Sequence, residues 1–122
     1  MNATAKKNEA RARRKRRVRK NMHGTAARPR MTVFKSNKHI YVQVIDDDRG
    51  ATVAATSTLN GTLRTTVAEL NKKDAATKVG EAIAEACKAA QINQVVFDRN
   101  GYPYAGRVAA VADGARAGGL EL

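Results

Sequence analysis

The positive charge of this chain is concentrated in its first quarter. Residues 1–30 contain 12 Lys and Arg side chains and one acid, Glu9, whereas residues 31–122 contain 11 Lys and Arg and 10 acids. The first 22 residues also have almost no apolar side chains beyond alanine and Val18. Such a segment cannot bury a core, so a folded body must be built from the residues that follow it.

The apolar composition supports this division into two parts. Leu, Ile, Val and Phe account for only 22 of 122 residues, a fraction that together with the net charge of +12 indicates disorder. After position 30 the same types account for 21 of 92 residues, and the charge there nearly balances. We therefore predict a basic arm over residues 1–27 and a globular domain over residues 28–122.

The arm is expected to be disordered or fraying by itself, because like charges three and four residues apart repel one another on a helix. Binding to a polyanion would order it, for example as a helix. Any such helix should end by about Ala27, because a proline such as Pro29 disfavours helical backbone at the residue before it.

Cysteine usage and hydropathy limit the class of protein. The single cysteine, Cys87, excludes an intrachain disulfide and favours a reducing, cytoplasmic compartment. The chain has no run of about 18 apolar residues, which argues against a membrane span. Its N-terminus lacks the apolar stretch of a secretory signal.

The first half of the domain has the pattern of three short strands. The strand candidates are Met31–Lys35, Ile40–Ile45 and Thr52–Thr56. Polar turns at Ser36–Lys38 and Asp46–Gly50 separate them, and turns this short join antiparallel neighbours. Apolar residues alternate in the second strand, which predicts one buried face.

Residues 57–70 are weakly patterned, and we interpret them as a loop or an irregular connection. A helix is predicted after them. Asn71 starts the helix, with Asp74 three residues later as in a capping box. Helical spacing predicts a buried stripe that consists of Val79, Ile83, Cys87 and Ala90. Gly80 lies beside this stripe and would permit a close approach to the sheet.

The remaining pattern is one strand and one helix. Gln94–Phe97 is typical of a buried strand, Asp98–Tyr104 of a loop, and the final helix should stop at Gly118–Gly119. The order is therefore βββαβα, and a strand that follows a helix should lie parallel to a meander strand. The fold class predicted is α/β, with a mixed sheet of an antiparallel three-strand meander plus one parallel strand and two packed helices.

The arm is the strongest functional feature, because Lys and Arg that neutralise phosphates dominate affinity for nucleic acids. A solvated tail or a targeting signal is the alternative, but neither explains why the basic residues continue into the domain. Two loops add donors and rings that suit RNA, residues 36–41 and residues 99–107. Tyr41 could equally be an ordinary strand residue, and Tyr102 and Tyr104 could pack within their loop. The candidate RNA-binding residues are Arg11, Arg13, Arg14, Lys15, Arg16, Arg17, Arg19, Lys20, Arg28, Arg30, Ser36, Asn37, Lys38, His39, Tyr41, Arg99, Tyr102, Tyr104 and Arg107.

No catalytic, metal or cofactor site is predicted. Asp46–Asp48 are consecutive, so their side chains diverge and a solvated turn is favoured over a metal site. His23 and His39 have no partner at ligand spacing, and Cys87 is expected to be a small core residue. Two alternatives to RNA binding remain: a nuclease with a basic arm, and a general DNA-binding or chromatin-type protein.

The sequence resembles the bacterial ribosomal protein L18 family over essentially its whole length. The segments that carry the resemblance are the basic arm, Gly24-Thr25, Arg28–Arg30, Val33-Phe34, Ser36–Tyr41, Gln43–Asp47, Val96–Val108 and Gly119–Leu122. Residues 57–70 depart most from the family pattern.

The resemblance implies a mixed α/β sandwich and a structural, non-catalytic role in the large ribosomal subunit. Its implied partners are 5S ribosomal RNA, 23S ribosomal RNA in the central protuberance, and neighbouring large-subunit proteins. Residues 1–22 would match the family's RNA-binding N-terminus, and Thr25 would join the RNA-binding residues at the junction with the domain. Residues 36–39 and 99–107 would match family loops near RNA.

Overall fold

The computed structural model describes residues 3–19, 22–59, 63, 65, 67, 68 and 70–122, without the side chains of residues 3–7, 18 and 19. Three helices and four strands are defined within these ranges. They are α1 (Ala3–Arg19), β1 (Arg30–Lys35), β2 (Ile40–Asp46), β3 (Ala51–Ser57), α2 (Lys72–Ala89), β4 (Val96–Asp98) and α3 (Gly106–Ala117).

The four strands form one mixed sheet in the order β3-β2-β1-β4. β1 and β3 each pair antiparallel with β2, and β4 pairs parallel with β1. The prediction of a meander plus one parallel strand is therefore confirmed. β4 begins later than predicted, because Gln94 makes only an isolated parallel bridge to Glu121.

The core lies on one face of the sheet. The alternating residues that face it from β1 and β2 are Met31, Val33, Ile40, Val42 and Val44, all at most 1% exposed. α2 covers them with Val79, Ile83 and Cys87, each fully buried as predicted, and burial raises the pKa of the Cys87 thiol. The prediction for Ala90 was wrong, since it is the exposed C-cap of α2 and lies beyond the packed stripe.

Glycine brings the two domain helices into backbone contact. A Cβ on Gly80 would lie 2.2 Å from the carbonyl oxygen of Val111, and a Cβ on Gly114 would lie 2.2 Å from that of Thr77. The close approach at Gly80 is therefore to α3, and the prediction that it faces the sheet was wrong. Contact this close lets small side chains fill the space between the helices.

The N-terminus of α2 has the predicted cap residue, Asn71. The side chain of Asn71 accepts a hydrogen bond of 2.8 Å from the backbone N–H of Asp74, which satisfies one free donor of the first turn. In the connection before it, Leu63, Thr65 and Val67 are helical. The prediction of a loop was wrong at these three positions, because Leu63 packs on the core and Val67 is buried. Residues 60–62, 64, 66 and 69 of that prediction lie outside the described residues.

Among the described helices, none is long and apolar enough to cross a membrane.

Replacement of Gly80 by alanine tests the helix contact. In most helices this change stabilises by about 1 kcal/mol, but here the new methyl group overlaps the backbone of α3. We expect the free energy of unfolding in urea to fall by about 2 kcal/mol. Gly50→Ala is the control, since a Cβ there meets nothing within 4 Å and only the left-handed backbone costs about 1 kcal/mol. A neutral or stabilising Gly80→Ala would contradict the contact.

Candidate nucleic-acid interface

The second face of the sheet carries an open cleft of about 540 Å³. Its floor is made by the strand residues that alternate with the core positions, so it faces away from α2 and α3. The lining residues are Lys15, Arg30, Thr32, Phe34, Tyr41, Gln43, Ile45 and Asn100.

Two aromatic rings lie next to each other on this floor. Phe34 and Tyr41 are directly opposed across β1 and β2, and their ring centres are 5.9 Å apart. Phe34 is 49% exposed, although an apolar ring of this size is usually buried. Sequence reasoning selected Tyr41 and missed Phe34 and Gln43. The strand alternation that buries Val33 would have found Phe34.

The arm helix α1 lies at the edge of the cleft. The Arg11 guanidinium carbon is 4.3 Å from the centre of the Tyr102 ring and 5.9 Å from that of Phe34, which are cation–π distances. Arg14 Nε donates a 3.0 Å hydrogen bond to the Gly101 carbonyl oxygen.

Gly101 is required for this approach. Its φ of +76° is in the left-handed region, and a Cβ there would lie 2.6 Å from the Arg11 carbonyl oxygen. The cations at positions 13, 14, 16 and 17 remain exposed on α1. The side chain of Arg19 and all of Lys20, both predicted to bind RNA, lie outside the described residues.

Arg30, predicted to bind RNA, lies within an ion cluster at the junction between arm and domain. Its Nε and Nη2 donate to Asp47 at 3.0 and 3.1 Å, and its Nη1 donates to Asp98 at 2.8 Å. Asp98 is fully buried and the Arg30 side chain is only 13% exposed. The backbone N–H of Gly24 also donates to Asp47, at 2.8 Å. This cluster therefore joins the end of the arm to β2 and β4.

Residues 47–50 form the predicted turn, but only one of the three consecutive acids is solvated. Asp46 is fully buried and accepts hydrogen bonds from the backbone N–H groups of Asp48 and Arg49 and from Arg49 Nε. Asp47 binds Arg30, and only Asp48 is exposed, with its Oδ1 2.6 Å from His23 Nε2. The prediction of solvation was wrong for Asp46 and Asp47, because turn composition shows neither the burial of Asp46 nor the contact of Asp47 with Arg30.

Hydrogen bonds in this region shift the pKa values of Asp47, Arg30 and His23. The Arg30 hydrogen bond, followed by the Gly24 N–H, lowers the pKa of Asp47 to about 2. The same contact raises the pKa of Arg30, and the Asp48 hydrogen bond raises the pKa of His23. Among the described residues, no group of three His, Cys, Asp or Glu side chains could hold a metal ion.

The structure separates the predicted tyrosines. Tyr102 is 9% exposed, and its hydroxyl bridges the backbone N–H and carbonyl of Lys35. Tyr104 is 47% exposed, lies edge-on to Phe97 and accepts a hydrogen bond from Arg116. Tyr104 is thus open to solvent, whereas the Tyr102 ring already contacts protein cations.

The other predicted residues lie in two surface regions. The side chain of Arg107 reaches the Ser36 carbonyl at 2.8 Å, so the start of α3 lies close to the turn between β1 and β2. In that turn Asn37 and Lys38 are exposed, and His39 Nδ1 is 3.0 Å from the Thr58 hydroxyl. At the junction, the Arg28 backbone N–H donates to the Thr25 hydroxyl. Arg99 is half-buried.

Comparison with known proteins gives the class of the chain. The family model described as ribosomal L18 of archaea, bacteria, mitochondria and chloroplast matches residues 5–122. A large ribosomal subunit protein uL18 of Sorangium cellulosum is 57% identical over 112 residues, which cover 92% of this chain and 94% of that protein. The uL18 proteins of Myxococcus xanthus and Geotalea uraniireducens are 56% and 52% identical over 93% and 100% of this chain, and 96% and 100% of their own lengths.

These relatives place the chain among the ribosomal proteins, a class with a structural role. The family match covers nearly the whole chain, and the chain belongs to the ribosomal L18 family.

The pKa of Asp47 predicts a pH dependence of stability. Its folded value of about 2 is below the ordinary value of 3.8, so the contribution is complete above pH 5 and is lost as the pH falls through 2. With allowance for solvent screening, Asp47→Asn should lower the free energy of unfolding at pH 7 by about 1–2 kcal/mol. The deficit should shrink towards pH 2, as measured by urea unfolding.

Asp113→Asn is the matched control for this experiment. Asp113 is 72% exposed and pairs with Arg116 at 3.5 Å on the surface of α3, and such pairs contribute about 0–1 kcal/mol. A deficit of Asp47→Asn that stayed constant down to pH 2 would show that the carboxylate charge is not the cause.

Proposed function

We propose that this chain is a structural constituent of the large ribosomal subunit that binds 5S ribosomal RNA in the cytoplasm. It helps to attach the 5S RNA to 23S ribosomal RNA in the central protuberance, beside neighbouring large-subunit proteins. The observation that carries the proposal is the convergence of cations and aromatic rings at one cleft of a ribosomal L18 domain. Arg11 and Lys15 of the arm lie at the cleft that contains Phe34 and Tyr41.

The arm supplies the electrostatic part of binding. Its exposed cations contact phosphates, release counterions and so make the affinity depend steeply on salt. These contacts fix position and orientation but carry no sequence information. The exposed cations of the described arm are Arg13, Arg14, Arg16 and Arg17.

The cleft supplies the part that distinguishes RNA from a uniform polyanion. Unpaired bases stack on exposed rings and use their edges for hydrogen bonds. Phe34 and Tyr41 offer adjacent rings, and the exposed amide of Gln43 lies on the same face. This arrangement favours RNA loops or bulges over duplex DNA, in which the bases are stacked and paired.

A non-catalytic role is supported by the state of the acids. Asp46 is bound to Arg49, and Asp47 and Asp98 are bound to Arg30. A nuclease that used Mg²⁺ would need carboxylates directed into an open site. Cleavage of 5S RNA by the purified chain with Mg²⁺ would contradict this part of the proposal.

Deletion of residues 1–20 tests the role of the arm. We expect the affinity for 5S RNA to fall by about a thousandfold at 0.1 M salt, because several phosphate contacts are lost. The salt dependence should become shallower, by about 0.7–0.9 units of slope for each lost contact. Filter binding over a salt series measures both, and circular dichroism checks that the domain remains folded. Unchanged affinity would exclude the arm from binding.

Replacement of Phe34 by alanine tests the cleft. Loss of one stacked base should weaken 5S RNA binding by about 1–3 kcal/mol, with little effect on folding because the ring is 49% exposed. The salt slope should not change, since no charge is removed. Leu59→Ala is the matched control, because Leu59 is 44% exposed and is not part of the cleft. Equal affinities of the two variants would show that Phe34 does not contact bases.

Competition with duplex DNA at fixed salt tests the choice of RNA. We expect 5S RNA to displace the protein from DNA, and the reverse result would favour a general DNA-binding protein.

A further inference from the structure

Two cations from separate elements lie against Tyr102, Arg11 of α1 and Lys35 at the end of β1, and Arg107 at the start of α3 lies near Lys35. The Arg11 guanidinium carbon and the Lys35 Nζ lie 4.3 and 5.1 Å from the centre of the Tyr102 ring. The Arg107 side chain is held next to Lys35, because its Nη1 donates a hydrogen bond to the carbonyl of the following residue, Ser36. We call these three side chains the junction cluster.

No acid neutralises the junction cluster within the described part of the chain. The carboxylates there that form ion pairs within 4.0 Å do so with other cations. The pKa of Lys35 is lowered, first by burial and then by the charges of Arg107 and Arg11. Arg11 and Lys35 lie against the same ring, so their separation is comparable to the Debye length of about 8 Å at physiological ionic strength and salt screens their repulsion only in part.

Two opposing effects therefore act on the contact of Arg11 with the domain. Its stacking on Tyr102 and Phe34 favours docking of α1, whereas the charges of Lys35 and Arg107 oppose it. The Arg11 Nε is buried and has no hydrogen-bond partner among the described residues, so no protein acceptor offsets the repulsion at that atom. An anion beside the cluster would remove this opposition.

We propose that the junction cluster binds one phosphate group and that its occupation holds α1 against the domain. Guanidinium and ammonium groups both donate strong charge-assisted hydrogen bonds to phosphate oxygens. In the ribosome the phosphate belongs to the RNA backbone, so the inference rests on the proposed function and adds a means by which RNA positions the arm. Phosphate binding and docking then strengthen each other by the same factor.

Amide hydrogen exchange of α1 in the full chain measures docking without RNA. Wild type is compared in inorganic phosphate and in chloride at matched ionic strength. At a phosphate concentration of ten times its dissociation constant, linkage predicts about tenfold slower exchange in α1.

Variants separate the site from a general effect of phosphate on stability. Lys35→Gln and Arg107→Gln should each lose most of the phosphate response. Lys73→Gln, which removes an exposed lysine from α2, should retain the full response. If one of the two cluster variants does not fold, the other still provides the comparison with Lys73→Gln.

Two results would overturn the inference. One is equal exchange of α1 in phosphate and chloride in wild type, and the other is a full phosphate response in both cluster variants. Filter binding of wild type to 5S RNA in the same buffers distinguishes the two proposals. Intact RNA binding without a phosphate response overturns only the inference, whereas absent RNA binding overturns the proposed function.

Discussion

The backbone contact between α2 and α3 is the constraint on which the arrangement of the molecule depends. Gly80 and Gly114 allow the two helices to lie side by side over one face of the sheet. Since both helices lie on the face that buries Val33 and Val42, no described domain helix covers the face that presents Phe34 and Tyr41. Close packing in the core and a bare sheet face are thus two consequences of one contact.

The buried acids of the domain are paired with arginine side chains. The buried acids Asp46 and Asp98 are held by Arg49 and Arg30, because an unpaired carboxylate in such a position would be costly. The ion cluster of Arg30 thereby fixes the point at which the arm leaves the sheet. Arg11, Lys35 and Arg107 lie outside this cluster and form no ion pair with a described acid.

The sequence predicts those parts of the fold that depend on neighbours along the chain. Alternation in β2 and the helical spacing of Val79, Ile83 and Cys87 give the buried faces, and Asn71 gives a helix start. The partner of Gly80 was not predictable, because periodicity shows which face is buried but not what lies across it. For the same reason, turn composition did not predict the contact of Asp47 with Arg30.

The candidate site shows this limit most clearly. Basic composition identified the arm, but the contact of Arg14 with Gly101 spans 87 positions in the chain, and no local pattern encodes it. The fold also gives individual cations different roles. Arg30 binds Asp47 and Asp98 at the junction between arm and domain, whereas Arg11 lies over the rings of Phe34 and Tyr102. The arm is therefore better understood as an element with a defined place on the domain than as a charged tail. Under the proposed phosphate binding, the affinity of the arm for RNA and its position at the sheet edge are coupled, because the bound anion relieves the repulsion that opposes that position.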